Sequence, residues 1–297
     1  MKQLLILSGK GGTGKTTVAG AFIRIAKARA YADCDVDAPN LHLIAGFSTE
    51  PKRSDYYGLP KAEIDPDKCA GCGLCLKNCR FDAISFANGL CRIDPFACEG
   101  CGVCEAVCPE SAVSLKPAKA GELMLFDGNG RVFSTARLRM GSGTSGMLVS
   151  EVKKRMKSGA DPDTELAVID GSPGIGCPVI ASMSGADMVL IVAEPSISGI
   201  SDLTRIVKTA EAFGTRTAVC INKYDVNPDN TGRIEAFCRA KELPFVGKIP
   251  FDPEAVRAVN SGLTIADVDS PAGRAVGEVF AGVMRLLFEG NGGKNKP

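Results

Sequence analysis

Eight of the nine cysteines between positions 69 and 108 constrain the folding of this chain more than any other feature. They form two runs with one spacing, Cys69-x2-Cys72-x2-Cys75-x3-Cys79 and Cys98-x2-Cys101-x2-Cys104-x3-Cys108-Pro109. The second run follows the first by 29 positions, and the flanks repeat with it: Ile64-Asp65-Pro66 precedes Cys69 as Ile93-Asp94-Pro95 precedes Cys98. Each run closes on a similar tail, Ala83-Ile84-Ser85 or Ala112-Val113-Ser114. Residues 60–118 therefore read as two small units related by duplication, set into a longer chain. Thirteen cysteines in all, behind an N-terminus too short for a secretion signal, point to metal or redox chemistry in a reducing compartment, where disulfides do not persist. The expected location is the cytoplasm.

The remainder of the chain has a different rhythm. Short apolar runs from Gln3 to Leu7, Leu166 to Ile169, Met188 to Ala193, Thr217 to Ile221 and Phe245 to Ile249 are bounded by turn residues. Segments of helical length, such as 199–212 and 231–240, separate them. Two-sided apolar strands alternating with helices predict a mostly parallel sheet covered on both faces, an α/β domain built from residues 1–59 and 119–297. Residues 121–139 read as a hairpin turning at Asp127-Gly128-Asn129-Gly130. Residues 145–157 read as a helix with Leu148, Val152 and Met156 on one face. With 35 basic and 34 acidic residues, the net charge of +1 creates no global field toward nucleic acid or an anionic membrane. No apolar run reaches the roughly 18 residues of a membrane span.

The first strand runs into Gly9-Lys10-Gly11-Gly12-Thr13-Gly14-Lys15-Thr16, which fits G-x-x-x-x-G-K-[ST] and is followed by helix-forming residues. In such a loop the glycines let successive backbone N–H groups curl around phosphates. Lys15 is then expected to reach the β and γ oxygens of a nucleotide and the Thr16 hydroxyl to ligate Mg2+, with Thr17 also in the nucleotide site.

The second lysine of the loop, Lys10, makes the chain resemble the MinD/ParA/Mrp and nitrogenase-iron-protein group of deviant Walker ATPases. The resemblance implies ATP hydrolysis and a homodimer closed around ATP, with Lys10 reaching the partner's nucleotide. It implies that Asp33-Cys34-Asp35-Val36-Asp37-Ala38-Pro39-Asn40 is a first switch, with Asp35 positioning the attacking water. The second strand is short in this chain, only Arg29-Ala30-Tyr31-Ala32 preceding Asp33, so it is expected to be frayed or shifted and leaves Asp33 and Asp37 open for the same role. Asp170 would hold a magnesium-bound water, and Gly171-Ser172-Pro173-Gly174 would form a second switch. Asn222 would lie at the adenine, with Pro250 and Phe251 near the base. His42, the one histidine, is expected simply to pack.

The cysteine runs resemble the bacterial two-cluster ferredoxins, in which the fourth cysteine of each run ligates the other run's cluster. The resemblance implies an inserted α+β ferredoxin-like domain with two 4Fe-4S clusters. Cys69, Cys72, Cys75 and Cys108 would hold one, and Cys98, Cys101, Cys104 and Cys79 the other. Gly71, Gly73, Gly100 and Gly102 would leave room for backbone N–H groups near the sulfurs. The first run has Arg80 where the second has Pro109, a difference expected to alter one cluster's exposure or potential without removing a ligand. Paired zinc knuckles are the alternative, but zinc motifs use longer central spacers. Cys91 is off-pattern, and Cys34, Cys220 and Cys238 are expected in the core. Cys177 follows Asp170 by seven positions, the offset of a cluster ligand in the nitrogenase iron protein, against the alternative of an ordinary buried cysteine.

Together the motifs describe an ATP-gated dimeric switch coupled to electron transfer, with an unidentified redox or client protein as partner. An Mrp-like iron-sulfur carrier and a MinD-like spatial organiser are the alternatives. The tail from Phe288 to Pro297 lacks the basic amphipathic anchor expected of the last.

Overall fold

The computed structural model describes residues 1–47 and 50–289. The stretch from Gly290 onward, on which the expectation of an anchor-free tail rests, lies outside the described residues. From the N-terminus come β1 (Lys2–Leu7), α1 (Lys15–Ala26), β2 (Ala30–Asp33) and β3 (Lys52–Tyr57). The cysteine-rich segment follows with β4 (Lys61–Ile64), α2 (Leu74–Asn78), β5 (Ile84–Ala87), β6 (Leu90–Ile93), α3 (Val103–Ala106) and β7 (Val113–Lys116). The chain continues through β8 (Lys119–Gly128), β9 (Arg131–Leu138), α4 (Ser145–Gly159), β10 (Leu166–Asp170), α5 (Cys177–Met183) and β11 (Met188–Ala193). It ends with α6 (Ile197–Ala212), β12 (Arg216–Asn222), α7 (Pro228–Ala240), β13 (Phe245–Ile249), α8 (Glu254–Asn260) and α9 (Pro271–Glu289).

One nine-stranded sheet has the order β13-β12-β11-β1-β10-β2-β9-β8-β3. It is parallel from β13 to β9, and β8 is antiparallel to both of its neighbours. Alternate residues of each central strand feed two separate cores. Leu5, Leu7, Ile169, Val189 and Ile191 pack under α4, α5, α6 and α7. Leu4, Ile6, Val168, Leu190 and Val192 pack under α1 and α9. Cover on both faces is why these strands read as unbroken apolar runs.

The second strand is neither frayed nor shifted. Its four residues are all buried and pair with β10 on one side and β9 on the other, in register with Ala167 to Asp170. The β8–β9 hairpin turns at Asn129 and Gly130, both at positive φ, 54° and 69°, as a two-residue primed turn requires. Strand β3 has no counterpart in the apolar pattern: it is an edge strand of sequence KRSDYY with only Tyr56 buried. Polar composition on an edge protects against unwanted pairing and hides the strand from a hydrophobicity reading.

The cysteine-rich segment leaves and rejoins the sheet at neighbouring points, since Tyr57 on β3 pairs with Lys119 on β8. Within it, strands cross between the two units. Strand β4 pairs with β7 and β5 with β6, with Ile64 opposite Val113 and Ile84 opposite Ile93. A shift of 29 positions converts one pairing into the other, so the sequence repeat is realised as an internal pseudo-two-fold axis. The backbone bonds obey it too: Asp65 N–H donates to Ala112 at 2.8 Å, and Asp94 N–H to Ala83 at 2.8 Å.

Candidate functional site

The glycine loop joins the end of β1 to α1 at the middle of the sheet. Gly14 has φ 92°, and a Cβ there would lie 2.1 Å from Asn222 Nδ2, so the position admits only glycine. The loop is braced from β12: Asn222 Nδ2 donates to the Thr13 carbonyl at 2.7 Å and Lys223 Nζ to the Gly12 carbonyl at 2.8 Å. Lys15 and Thr16 both bind Asp170 at the end of β10, Nζ to Oδ1 at 2.6 Å and Oγ1 to Oδ2 at 2.6 Å. Burial opposes the charge on Lys15, but Asp170 outweighs it and raises the pKa above the usual 10.5. The Thr13 hydroxyl is buried with no hydrogen-bond partner, an unmet group in the loop that a phosphate oxygen would satisfy.

Beside the loop is a cavity of about 330 Å³ lined by Gly12, Gly14, Thr17, Asn222, Pro250 and Phe251, among others. That volume lies within the range of small-molecule pockets. The three residues expected at a base thus come together with the loop. Phe251 stands half-exposed on the rim, its N–H tied to the Asp225 carboxylate at 2.7 Å. Lys10 is directed elsewhere within its own chain, to Glu194 at 3.1 Å and to the hydroxyls of Ser196 and Ser198. Gly9 packs against Asp202 of α6, and Gly11 is exposed.

The three aspartates of residues 33–40, expected to form a first switch, sit in different surroundings. Asp33 is fully buried, and its carboxylate accepts N–H bonds from Asp35, Asn40 and Leu41 at 2.9 to 3.0 Å, holding the segment's shape. Burial, then the adjacent Asp170, pushes its pKa up from 3.8 to about 7. Asp37 is exposed. Asp35 is half-buried, and its pKa is raised by burial against the pull of Lys15. Asp33 and Asp35 both feel Lys15 and Asp170, but Asp35 is the less buried of the two and does not carry the three backbone bonds that occupy Asp33. The second switch is tied to the loop strand, Gly171 N–H donating to Ile6 at 2.9 Å and Gly174 N–H to Ser8 at 3.0 Å.

The eight cysteines of the two runs line two pockets. Cys69, Cys72, Cys75 and Cys108 share one, and Cys79, Cys98, Cys101 and Cys104 the other, so each pocket takes three residues from one run and the fourth from the other. Cys108 Sγ already accepts the Ala112 N–H at 3.3 Å. Gly71 and Gly100 have φ 65° and 67°, and a Cβ on either would fall 2.3 or 2.1 Å from the carbonyl oxygen of Gly89 or Pro60. These glycines are thus fixed by close backbone packing between the units as well as by any approach of N–H groups to sulfur. Positions 60 and 89 are themselves one repeat apart, so the same contact is made twice.

Two further expectations are corrected. His42 does not pack in the core but is exposed at the rim of a groove with Arg53, Glu122 and Arg137, because the loop after the first switch runs over the surface there. Cys177 is exposed at the start of α5 and not buried, since the glycines on both sides of Ile175 carry the chain outward. Cys34, Cys220 and Cys238 are buried, as their isolation in apolar sequence implied. Glu194 and Lys153 carry no motif and were not legible. Lys153 on α4 buries its ammonium against the carbonyls of Ser182 and Ser184 at the end of α5, at 2.5 and 2.6 Å.

A path of contacts joins the two regions. A Cβ at Gly141 would lie 3.1 Å from the Phe96 ring, and one at Gly143 3.3 Å from the Glu99 carboxylate, so the loop before α4 rests on the second cysteine run. At the second residue of α4, a Cβ at Gly146 would lie 3.2 Å from the carbonyl of Cys177, which begins α5 three residues after Gly174.

The sequence profile of the CobQ/CobB/MinD/ParA nucleotide binding domain matches residues 4–265. An uncharacterized protein of Methanocaldococcus jannaschii is 30% identical over 291 residues, covering 96% of this chain and 97% of that protein. A cytosolic Fe-S cluster assembly factor, the Nubp1 homolog of Drosophila ananassae, is 23% identical over 290 residues, covering 95% of this chain and 81% of its own. The septum site-determining protein MinD of Pyrococcus horikoshii, solved with Mg-ADP, superposes with a TM-score of 0.58 at 18% identity, over 97% of this chain and 98% of that one. The profile spans most of the chain, from β1 to the turn before α9, and on that extent this chain belongs to the CobQ/CobB/MinD/ParA nucleotide-binding family.

Proposed function

We propose that this chain is a cytoplasmic ATPase that dimerises around ATP and carries two 4Fe-4S clusters in residues 60–118, a ferredoxin-like domain, the nucleotide state gating electron transfer to a partner protein. Lys15, now bound to Asp170, would hold the β and γ oxygens, and Thr16 with Asp170 would hold Mg2+, which would supply charge neutralisation at the phosphates. Asp35 would orient the attacking water. Lys10 leaves Glu194 for the partner's nucleotide.

The clusters, when bound, supply one-electron storage. The donor set suits them. Structural zinc takes four Cys or His ligands on one ion, with Zn–S at about 2.3 Å, and among the described residues no three His, Cys, Asp or Glu side chains converge on a single-ion site. The cysteines of the two runs instead surround two pockets, four from the runs at each. Two clusters call for about eight iron atoms per chain.

The observation that carries the gating is the contact path from the second switch through α5, Gly146 and the loop 139–144 to Phe96 and Glu99. Coupling of about 1 to 3 kcal/mol between nucleotide and cluster would move a one-electron potential by roughly 40 to 130 mV, and reduction would change ATP affinity by the same factor. Potentiometric titration without nucleotide, with ADP, and with ATP on the hydrolysis-blocked Asp35→Ala variant measures that shift. Coincident potentials in all three states, with equal ATP affinity for oxidised and reduced protein, would sink the gating.

A second reading, an iron-sulfur assembly factor whose clusters are cargo, is favoured by the similarity to the Nubp1 homolog over 95% of this chain. Stoichiometric loss of iron to an apo-protein, accelerated by ATP, would select it. Retention of the clusters under those conditions selects electron transfer.

A further inference from the structure

We propose that Cys91 is a reserve ligand of the first cysteine pocket, able to take the place of Cys75; this rests on the two-cluster reading above. Cys91 belongs to neither run, yet its side chain lines the pocket formed by Cys69, Cys72, Cys75 and Cys108. It is 4% exposed and packs with Cys75 and Ile84 in one buried cluster. Cys75 and Cys91 thus share both the buried cluster and the pocket lining. A cluster with four irons takes one thiolate on each, so the first pocket holds one thiol more than it requires.

The pseudo-two-fold axis supplies an internal comparison. The position one repeat before Cys91 is Ala62, on β4 as Cys91 is on β6. Ala62 is equally buried, 4% exposed, and lines the second pocket. A methyl group is therefore enough to fill this place in the fold, and what the first pocket gains is the chemistry of sulfur. Chemistry more often than packing decides where a free cysteine is kept. Cys91 is held on a paired strand, opposite Phe86, and packs in the buried cluster that contains Cys75. When it substitutes, the Cys91 thiol gives its proton to water and binds as thiolate. Cys75, if still present, takes up a proton as it leaves, and no iron changes oxidation state.

The test is the iron and acid-labile sulfide content of full chains purified anaerobically. The wild type is expected to hold about eight irons. Cys75→Ala keeps about eight, whereas Cys75→Ala/Cys91→Ala falls about twofold, to four. The equivalent variant of the other run, Cys104→Ala, falls to about four, and adding Ala62→Cys to it restores about eight. The cluster that remains in each depleted chain reports that the segment has folded, because each pocket draws on both runs. About four irons or fewer in Cys75→Ala, beside eight in the wild type, overturns the role of Cys91 and leaves the two-cluster reading standing. A wild type without iron overturns both.

Discussion

Lys10 shows how little a motif says about where a side chain rests. The loop spacing places it among the phosphates, yet it is bound to Glu194 at 3.1 Å with both side chains partly exposed. An ion pair of this kind contributes about 0 to 1 kcal/mol, so it is weak enough to be exchanged for a phosphate. Lys15→Ala is expected to abolish nucleotide binding, whereas Lys10→Ala should retain binding by calorimetry but lose ATP-driven dimerisation and hydrolysis. Removing the competing contact with Glu194→Gln should shift the dimerisation midpoint in ATP downward, by at most about fivefold. Normal hydrolysis by Lys10→Ala would remove the dimer mechanism. Asp33 has a pH signature. Its pKa is raised by burial and by Asp170 from 3.8 to about 7. Its contribution is thus fully present below pH 3.8 and lost as pH rises through about 7. Thermal melts of the nucleotide-free protein should fall over that window, and Asp33→Asn should flatten the decline. An unchanged slope in Asp33→Asn would assign the decline to other groups.

At the scale of elements, α4 stands between the two regions. Its apolar stripe, Leu148, Val149, Val152 and Met156, is buried against the sheet. Lys153 lies on the same buried side and satisfies the last carbonyls of α5, which helix geometry leaves without intrahelical partners. No carboxylate accompanies it, and burial lowers its pKa. Lys153→Met keeps the length of the stem but leaves the two carbonyls unpaired, and should cost about 1 to 3 kcal/mol in denaturant unfolding. A neutral result would mean that water replaces the ammonium there. The stripe of α4 was legible from its spacing, because helical periodicity is a local property. The ammonium was not, because a lysine in a helix is ordinarily solvated, and only the fold brings the end of α5 over it.

For the whole molecule, the decisive geometry is the pairing of Tyr57 with Lys119. It closes the base of the inserted segment, so joining β3 to β8 by a short turn in place of residues 60–118 makes an ordinary antiparallel hairpin. Such a chain should fold and bind nucleotide with an affinity within about threefold of the parent, and should hold no iron. Failure to fold would show that Phe96 and Glu99 against the 139–144 loop are needed for stability. The crosswise grouping of cysteines was implied by the ferredoxin resemblance, whereas the α/β class, the glycine loop and the duplication were all present in the sequence. Each depends on spacing along the chain, whether the period of a strand, the reach of consecutive N–H groups or a 29-position repeat. Strand β3, the different surroundings of Asp33, Asp35 and Asp37, the grip of Glu194 on Lys10, and the fifth cysteine at the pocket of Cys75 were decided by tertiary structure. Edge pairing, burial and proximity across a pseudo-axis join residues far apart in the chain, and no local pattern encodes those distances.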